Sequence, residues 1–500
     1  MAVQEAAGEA ELAEFGYRQQ LDRRIGGFAS FAAGVSYISI LTGTFQLFYF
    51  GFGSAGPAYL WSWPIVFAGQ LTVALCFAEL AARYPVAGSL YNWAKRLANP
   101  TTSWLAGWMM LTASVVTLSA TVLAYQLTLP KIWSGFQVVG DGSGTYDLPV
   151  NAVVLGGALI VFTTLVNAFG VKLTSRINST GVFVELVAAV LIVAVLAYHA
   201  QRGPAVLLDT RGTGAGHDLG YVGAFLVAAL ASGYVLYGFD TASSLGEETR
   251  EPRRTAPRAI VRAVVASFVL GGAILLFGVM AAPDLADPLL RSPDGGLQYV
   301  LLEAIGGTLG RAFLICIAIA ITVCCLAVHT ATIRMVFAMA RDNNLPFGSR
   351  LARVHPTRRT PVVPAVLTGA LSLAILLVNV RQPQIFTVLT SIAVIMIYVA
   401  YLLVTVPMLV ARLRGRWTAG EHFSLGRWGL PVNVVAVLWG AGMALNLAWP
   451  RTEVYNATAP FHWYLRWGAF VFVGAIAVGG LVYYRVRQRH RTGVLPEHAA

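Results

Sequence analysis

Apolar runs of about 20 residues, parted by short polar segments, recur along nearly the whole 500-residue chain. A run of that length lets an α-helix cross the hydrocarbon core of a bilayer with all its backbone groups paired internally. The pattern predicts spans near 28–52, 61–82, 104–128, 150–170, 177–198, 221–245, 259–282, 311–340, 362–380, 386–411, 430–449 and 463–484. The fold class is therefore all-α and integral to a membrane, with about twelve transmembrane helices. The 311–340 run is longer than a bilayer needs, so it is expected to tilt or to project into the cytosol.

Two of these runs are interrupted. The sixth reads YVGAFLVAALASGYVLYG, breaks at Gly238-Phe239-Asp240, resumes as TASSLG and ends in the acidic and basic stretch EETREPRRTAPR. The first reads FAAGVSYISILTGTFQLFYFGFG, with Thr42-Gly43-Thr44 near its middle. A broken helix inside a membrane is costly unless the freed backbone lines a cavity. Paired breaks at the first positions of two five-helix halves, entering from opposite sides, point to a binding site between the halves. Glycine is frequent in membrane helices, and there are 50 here. The pairing, with an acid beside Gly238, is what lifts the signal.

Composition agrees with the pattern and charge orients it. The chain is 57% hydrophobic and 12% charged, with mean hydropathy +0.67. That excludes a string of soluble domains. The net charge of +12 would suit nucleic acid were it clustered on a soluble face. Instead Arg23, Arg24, Lys95, Arg96, Lys172, Arg176, Arg253, Arg254, Arg358, Arg359, Arg412, Arg414, Arg416, Arg485 and Arg487 fall on one side of the predicted topology. This is the positive-inside asymmetry, and it predicts that both termini face the cytoplasm of a cell membrane. No cleavable secretory signal is visible. Cys76, Cys316, Cys324 and Cys325 lie within spans, show no metal-ligand spacing, and read as packing residues.

Several segments carry a family resemblance. Residues 47–97, with the block Glu-Leu…Tyr-Pro…Gly-Ser-Leu-Tyr-Asn-Trp, look like the second helix and flanks of the amino acid–polyamine–organocation superfamily. The similarity is greatest to its amino acid/choline transporter branch, which includes GABA and choline permeases. GFDTASSLGEETREPRRTAPRAI (238–260), RMVFAMARDNNLP (334–346) and FGYRQQLDRR (15–24) extend the resemblance over residues 15 to about 411. It implies a five-plus-five inverted-repeat core with discontinuous helices 1 and 6, carrying amino acids or related amines by alternating access. The expected organisation is a cytosolic segment 1–27, a transport core 28–411, two scaffold helices within 412–484, and a basic tail 485–500. One departure is visible. The superfamily's best-known carriers have Gly-Ser/Ala-Gly-Ile at the first break, where residues 39–44 read SILTGT.

The half-helix ends of such breaks offer unpaired N–H groups to a carboxylate and unpaired carbonyls to an ammonium. Ser39, Ile40, Thr42, Gly43 and Thr44 from the first span, and Tyr237, Gly238, Phe239 and Asp240 from the sixth, are the candidate substrate-binding residues, with Trp108 of the third. Asp240 can cap the second half-helix or serve as counter-ion to a cationic group. Glu185 lies about 12 Å along the fifth span at ~1.5 Å per residue. Ionised there, it would cost about 3 kcal/mol on insertion scales. It is a candidate carrier of a coupling proton or, alternatively, a structural acid. His329 can join a proton route or bond a neighbouring backbone. Thr330 and Thr332 are candidate hydroxyl ligands for a coupling cation. Glu79 near Arg83, and Glu247 and Glu248 near Arg250, Arg253 and Arg254, form an inner gate or are solvated pairs. Trp61, Trp63, Trp104, Trp133, Trp449, Trp463 and Trp467 cluster at span ends and read as interfacial anchors.

No metal cluster, nucleophile elbow or phosphate loop is legible, so an enzyme is not expected. No cofactor is expected beyond a coupling ion, H⁺ ahead of Na⁺. The expected partners are a small amino acid or amine and the bilayer, with no nucleic acid and no obligate protein. A GABA, polyamine or choline carrier, an exchanger, or a substrate sensor all fit the same cradle.

Overall fold

A computed structural model describes residue 10 and residues 12–500 apart from 382, 457, 458 and 460. Helices dominate, and the β-pairing among the described residues is confined to isolated bridges. In chain order the main helices are α1 (Gly27–Ile38), α2 (Ile40–Ala55), α3 (Ser62–Arg83), α4 (Ser89–Leu97), α5 (Pro100–Thr121) and α6 (Ala124–Ile132). Next come α7 (Asp147–Phe169), α8 (Val171–Tyr198), α9 (Tyr221–Gly233), α10 (Thr241–Ser244) and α11 (Pro252–Ala281). The series closes with α12 (Gly296–Ile305), α13 (Gly307–Arg341), α14 (Val362–Arg381), α15 (Pro383–Leu413), α16 (Gly429–Ala448) and α17 (Gly468–Tyr483).

Eleven helical stretches among the described residues are long and apolar enough to cross a membrane. They coincide with every predicted span but the sixth. That one is divided into α9 and α10, with non-helical backbone between, so neither piece reaches spanning length. Two helices lie outside the predicted spans: α4, which is amphipathic and carries Lys95 and Arg96 at its end, and α12. Both fall where the apolar run is too short to signal a crossing.

Packing divides each helix into a lipid face and a protein face. Val161, Phe162 and Leu165 on α7, Phe183 and Leu191 on α8, and Leu371 and Leu377 on α14 project outward, as lipid-facing residues should. Inward, α11 runs along α3 and α1, α15 along α5, α13 along α8 and α14 along α7. With no hydrophobic gradient between lipid and protein, close approach of small residues drives such contacts. A side chain at Gly69 would collide with the Trp439 ring of α16, and one at Gly181 with Val323. The surplus length of α13 carries Arg334 and Arg341 near its C-terminal end.

Candidate functional site: two broken helices and a buried ion-pair cluster

The first break falls at Ser39, three residues before the predicted Thr42-Gly43-Thr44. Ser39 has φ 39° and ψ 88°, a left-handed conformation rare for a residue with a Cβ. Such strain costs about 1–3 kcal/mol and persists only where surroundings enforce it. Here a carboxylate from α8 does so. Glu185 Oε1 accepts from Ser39 Oγ at 3.0 Å and from the Leu41 N–H at 3.3 Å, and Ser39 Oγ lies 2.7 Å from Thr42 Oγ1. The acid thus sits on the amide end of α2, where the half-helix dipole favours negative charge. Its second oxygen, Oε2, is fully buried and has no partner.

Thr42, Gly43 and Thr44 lie in regular helix. Thr44 Oγ1 bonds back to the Ile40 carbonyl at 2.6 Å. Gly43 is required for packing, not for bending: a Cβ there would stand 2.7 Å from the Val235 side chain.

The second break was placed correctly by the sequence. Backbone regularity ends after Gly233, and Gly238 takes φ +86°, with no room for a side chain against the ring of Tyr37. Its N–H donates to the Tyr401 hydroxyl of α15 at 2.9 Å, and that hydroxyl donates to Asp240 Oδ1 at 2.7 Å. Ser89 Oγ, at the start of α4, donates to Asp240 Oδ2 at 3.2 Å. The capping reading of Asp240 is corrected: its carboxylate bonds no amide of α10, and its backbone carbonyl receives Ser243 and Ser244 N–H instead. Asp240 ties the break to α15 and α4. Phe239 is buried against Phe77 and Tyr401, and the Tyr237 ring meets Tyr37 edge-on at 6.0 Å. The two breaks therefore face each other, through Tyr37 on Gly238 and Val235 on Gly43.

Other predicted residues lie elsewhere. Trp108 stacks on Trp104 and donates to the Ile476 carbonyl at 3.1 Å, facing α17 and not the breaks. His329 uses both ring nitrogens at the junction of α13 with α7 and α14. Nε2 is 3.0 Å from the Ala365 carbonyl, which fixes it as the donor, and Nδ1 is 3.1 Å from Thr163 Oγ1. Thr330 Oγ1 donates to Asn167 or to the Leu326 carbonyl, and Thr332 Oγ1 to the Val328 carbonyl. The α13 residue that reaches the first break is Cys324, whose Sγ lies 3.7 Å from the Tyr37 carbonyl.

Near the C-terminal end of α13 the predicted acids are present with different partners. Glu247 forms a two-pronged pair with Arg341, at 2.7 and 3.0 Å, and also accepts from the Ala87 N–H at 3.0 Å. Glu248 pairs likewise with Arg334, at 2.7 and 3.0 Å. All four side chains are buried. Arg253 reaches outward to Glu14 at 2.6 Å, and Glu79 pairs with Arg412, not with Arg83. The fork geometry of guanidinium on carboxylate explains why α13 supplies arginine here. Arg334 and Arg341 are seven residues apart, on one face of a helix; that spacing within RMVFAMAR was the available signal.

Further contacts close over these pairs. The Arg341 guanidinium lies 3.7 Å over the Tyr17 ring, and Ile25 N–H donates to the Glu248 carbonyl at 2.8 Å. Asp342 gathers Lys95, Tyr91 and Tyr17 at 2.6–3.0 Å. Segment 493–498 then pins the end of α13, with Leu495 N–H on the Arg341 carbonyl and Gly493 N–H on that of Asp342.

Comparison with known proteins gives this arrangement a setting. The profile of a family described as amino acid permease matches residues 25–477. Amino-acid permease BAT1 of Arabidopsis thaliana is 28% identical over 476 residues, 90% of this chain and 91% of that one. Its homolog in Oryza sativa subsp. japonica is 30% identical over 473 residues, 89% and 88% of the two chains. Amino-acid permease 2 of Neurospora crassa is 24% identical over 455 residues, 89% and 82%.

Proposed function

The chain belongs to the amino acid permease family, and from that premise we propose that it moves an amino acid or related amine across the cell membrane by alternating access, with Glu185 carrying a coupling proton. Membership makes it a multi-pass membrane transporter of small molecules. Direction, coupling and the five-plus-five repeat belong to the proposal, as does a cytosolic location for both termini.

The observation that carries the coupling is the place of Glu185. Its carboxylate occupies the amide end of α2, the end best suited to a substrate carboxylate. Two ionised carboxylates cannot share one such end without strong mutual repulsion. A proton on Glu185, added at the unpartnered Oε2, removes that conflict. Substrate binding and protonation then favour each other, and linkage makes the coupling reciprocal. Asp240, held by neutral hydroxyls, is the group suited to the substrate's ammonium, with the carbonyls around Tyr237 and Gly238. The Glu247–Arg341 and Glu248–Arg334 pairs serve as the cytosolic gate, which must part for release.

The test is uptake by proteoliposomes of labelled amino acids, GABA, putrescine and choline, under a pH gradient, a Na⁺ gradient, or with counter-substrate inside. Concentrative uptake driven by the pH gradient supports the reading. Uptake seen only against internal substrate makes the protein an exchanger and removes Glu185 from coupling.

A further inference from the structure

The correction at Glu79 leaves Arg83 without the acid expected beside it, and Arg83 lines a different feature. A cavity of about 510 Å³ opens between the end of α3, α4, the start of α5 and the end of α15. Arg83, Arg96, Arg414 and Arg416 all line it, and among the described residues no Asp or Glu does. Arg83 Nε donates to the Tyr84 hydroxyl at 3.1 Å and Arg96 Nη2 to the Phe15 carbonyl at 2.8 Å, both neutral acceptors. None of the four joins an ion pair among the described residues. The nearby Glu79 is consumed by Arg412 and the Leu425 N–H. Trp417, also in the wall, has its indole N–H buried without an acceptor.

Like charges converging on one cavity raise its potential and attract an anion. Planar guanidinium groups match phosphate oxygens two at a time. The cavity is not polar throughout. Val406 and Val410 of α15 form its membrane-side wall and are 40% and 39% exposed on the outer face of the bundle. Cationic at one end and apolar along α15, it lies at the helix ends that the charge asymmetry assigns to the cytosol. The cytosolic leaflet is the one rich in anionic lipid.

We propose that this cavity binds the phosphate headgroup of an anionic phospholipid of the cytosolic leaflet, with an acyl chain lying along Val406 and Val410. The arginines neutralise the headgroup, and the lipid in turn braces α4 against the end of α15. Arg414 and Arg416 are exposed and take part in no ion pair among the described residues, so their replacement should leave the fold intact.

Native mass spectrometry of the detergent-solubilised full chain, titrated with phosphatidylglycerol, tests this directly. Wild type should retain phosphatidylglycerol in preference to phosphatidylcholine. The double variant Arg414→Gln/Arg416→Gln should bind it about tenfold or more weakly, and Arg414→Lys/Arg416→Lys, which keeps the charge but loses the two-pronged match, should fall between that variant and wild type. Equal retention by wild type and the glutamine variant would overturn the site. Displacement of the lipid by an equal concentration of inorganic phosphate would overturn the lipid assignment in favour of a soluble anion.

Discussion

Two regions of this molecule each bury a pair of carboxylates, and they compensate them in opposite ways. At the end of α13, Glu247 and Glu248 each meet a guanidinium squarely, so the charges are settled inside the protein. At the helix breaks, Glu185 and Asp240 meet only hydroxyls and a backbone N–H, and one oxygen of Glu185 has no partner. A settled pair resists separation, because either partner left alone is a buried, unpaired charge. An unsettled carboxylate is available to a proton or to an ammonium. Under the proposed function, the paired acids hold a gate shut and the breaks take something up.

Changes at the two regions should therefore fail differently. The largest effect is expected for Gly238→Ala, since the added Cβ meets the Tyr37 ring and φ is +86°. Uptake should vanish, and the variant should still assemble if the break serves binding rather than folding, as size-exclusion profiles will show. At the buried ion pairs, Arg341→Ala leaves Glu247 without its guanidinium and with only the Ala87 N–H on its carboxylate, which should cost about 3–5 kcal/mol and lower the unfolding temperature. Glu247→Gln/Arg341→Met should recover most of that stability while admitting cytosolic cysteine reagents more readily.

A smaller effect is expected for Tyr401→Phe, which strips Asp240 and the Gly238 N–H of one hydroxyl and should cost about 1–3 kcal/mol. Substrate affinity should fall more than thermal stability; the reverse order would make Tyr401 structural. Trp108→Phe keeps a ring against Trp104 and loses one bond to α17. Uptake should change less than about twofold at a net cost near ~1 kcal/mol.

What the sequence made legible follows from which forces are local. The spans could be read because bilayer thickness fixes the length of an apolar run. The sixth-span break could be read because only glycine tolerates the backbone at 238. The first break could not be placed by the same logic. Ser39 is held left-handed by Glu185, 146 residues away, while Gly43, the apparent breaker, serves to admit Val235. The gate acids stood out as a charged pair ending an apolar run, but local neighbours were the wrong partners. Arg250, Arg253 and Arg254 follow in sequence, whereas Arg334 and Arg341 are brought in by α13. His329 leaves two readings open in the sequence, a proton route or a bond to a neighbouring backbone, and its Nε2 bond to the Ala365 carbonyl with Nδ1 beside Thr163 Oγ1 matches the second.

The most direct test of the account is the pH dependence of uptake in Glu185→Gln, measured in proteoliposomes beside wild type. Glutamine is a permanent stand-in for the protonated acid. The account predicts that uptake down a substrate gradient persists while stimulation by an imposed pH gradient disappears. A variant that is still driven by the pH gradient as wild type is would contradict it.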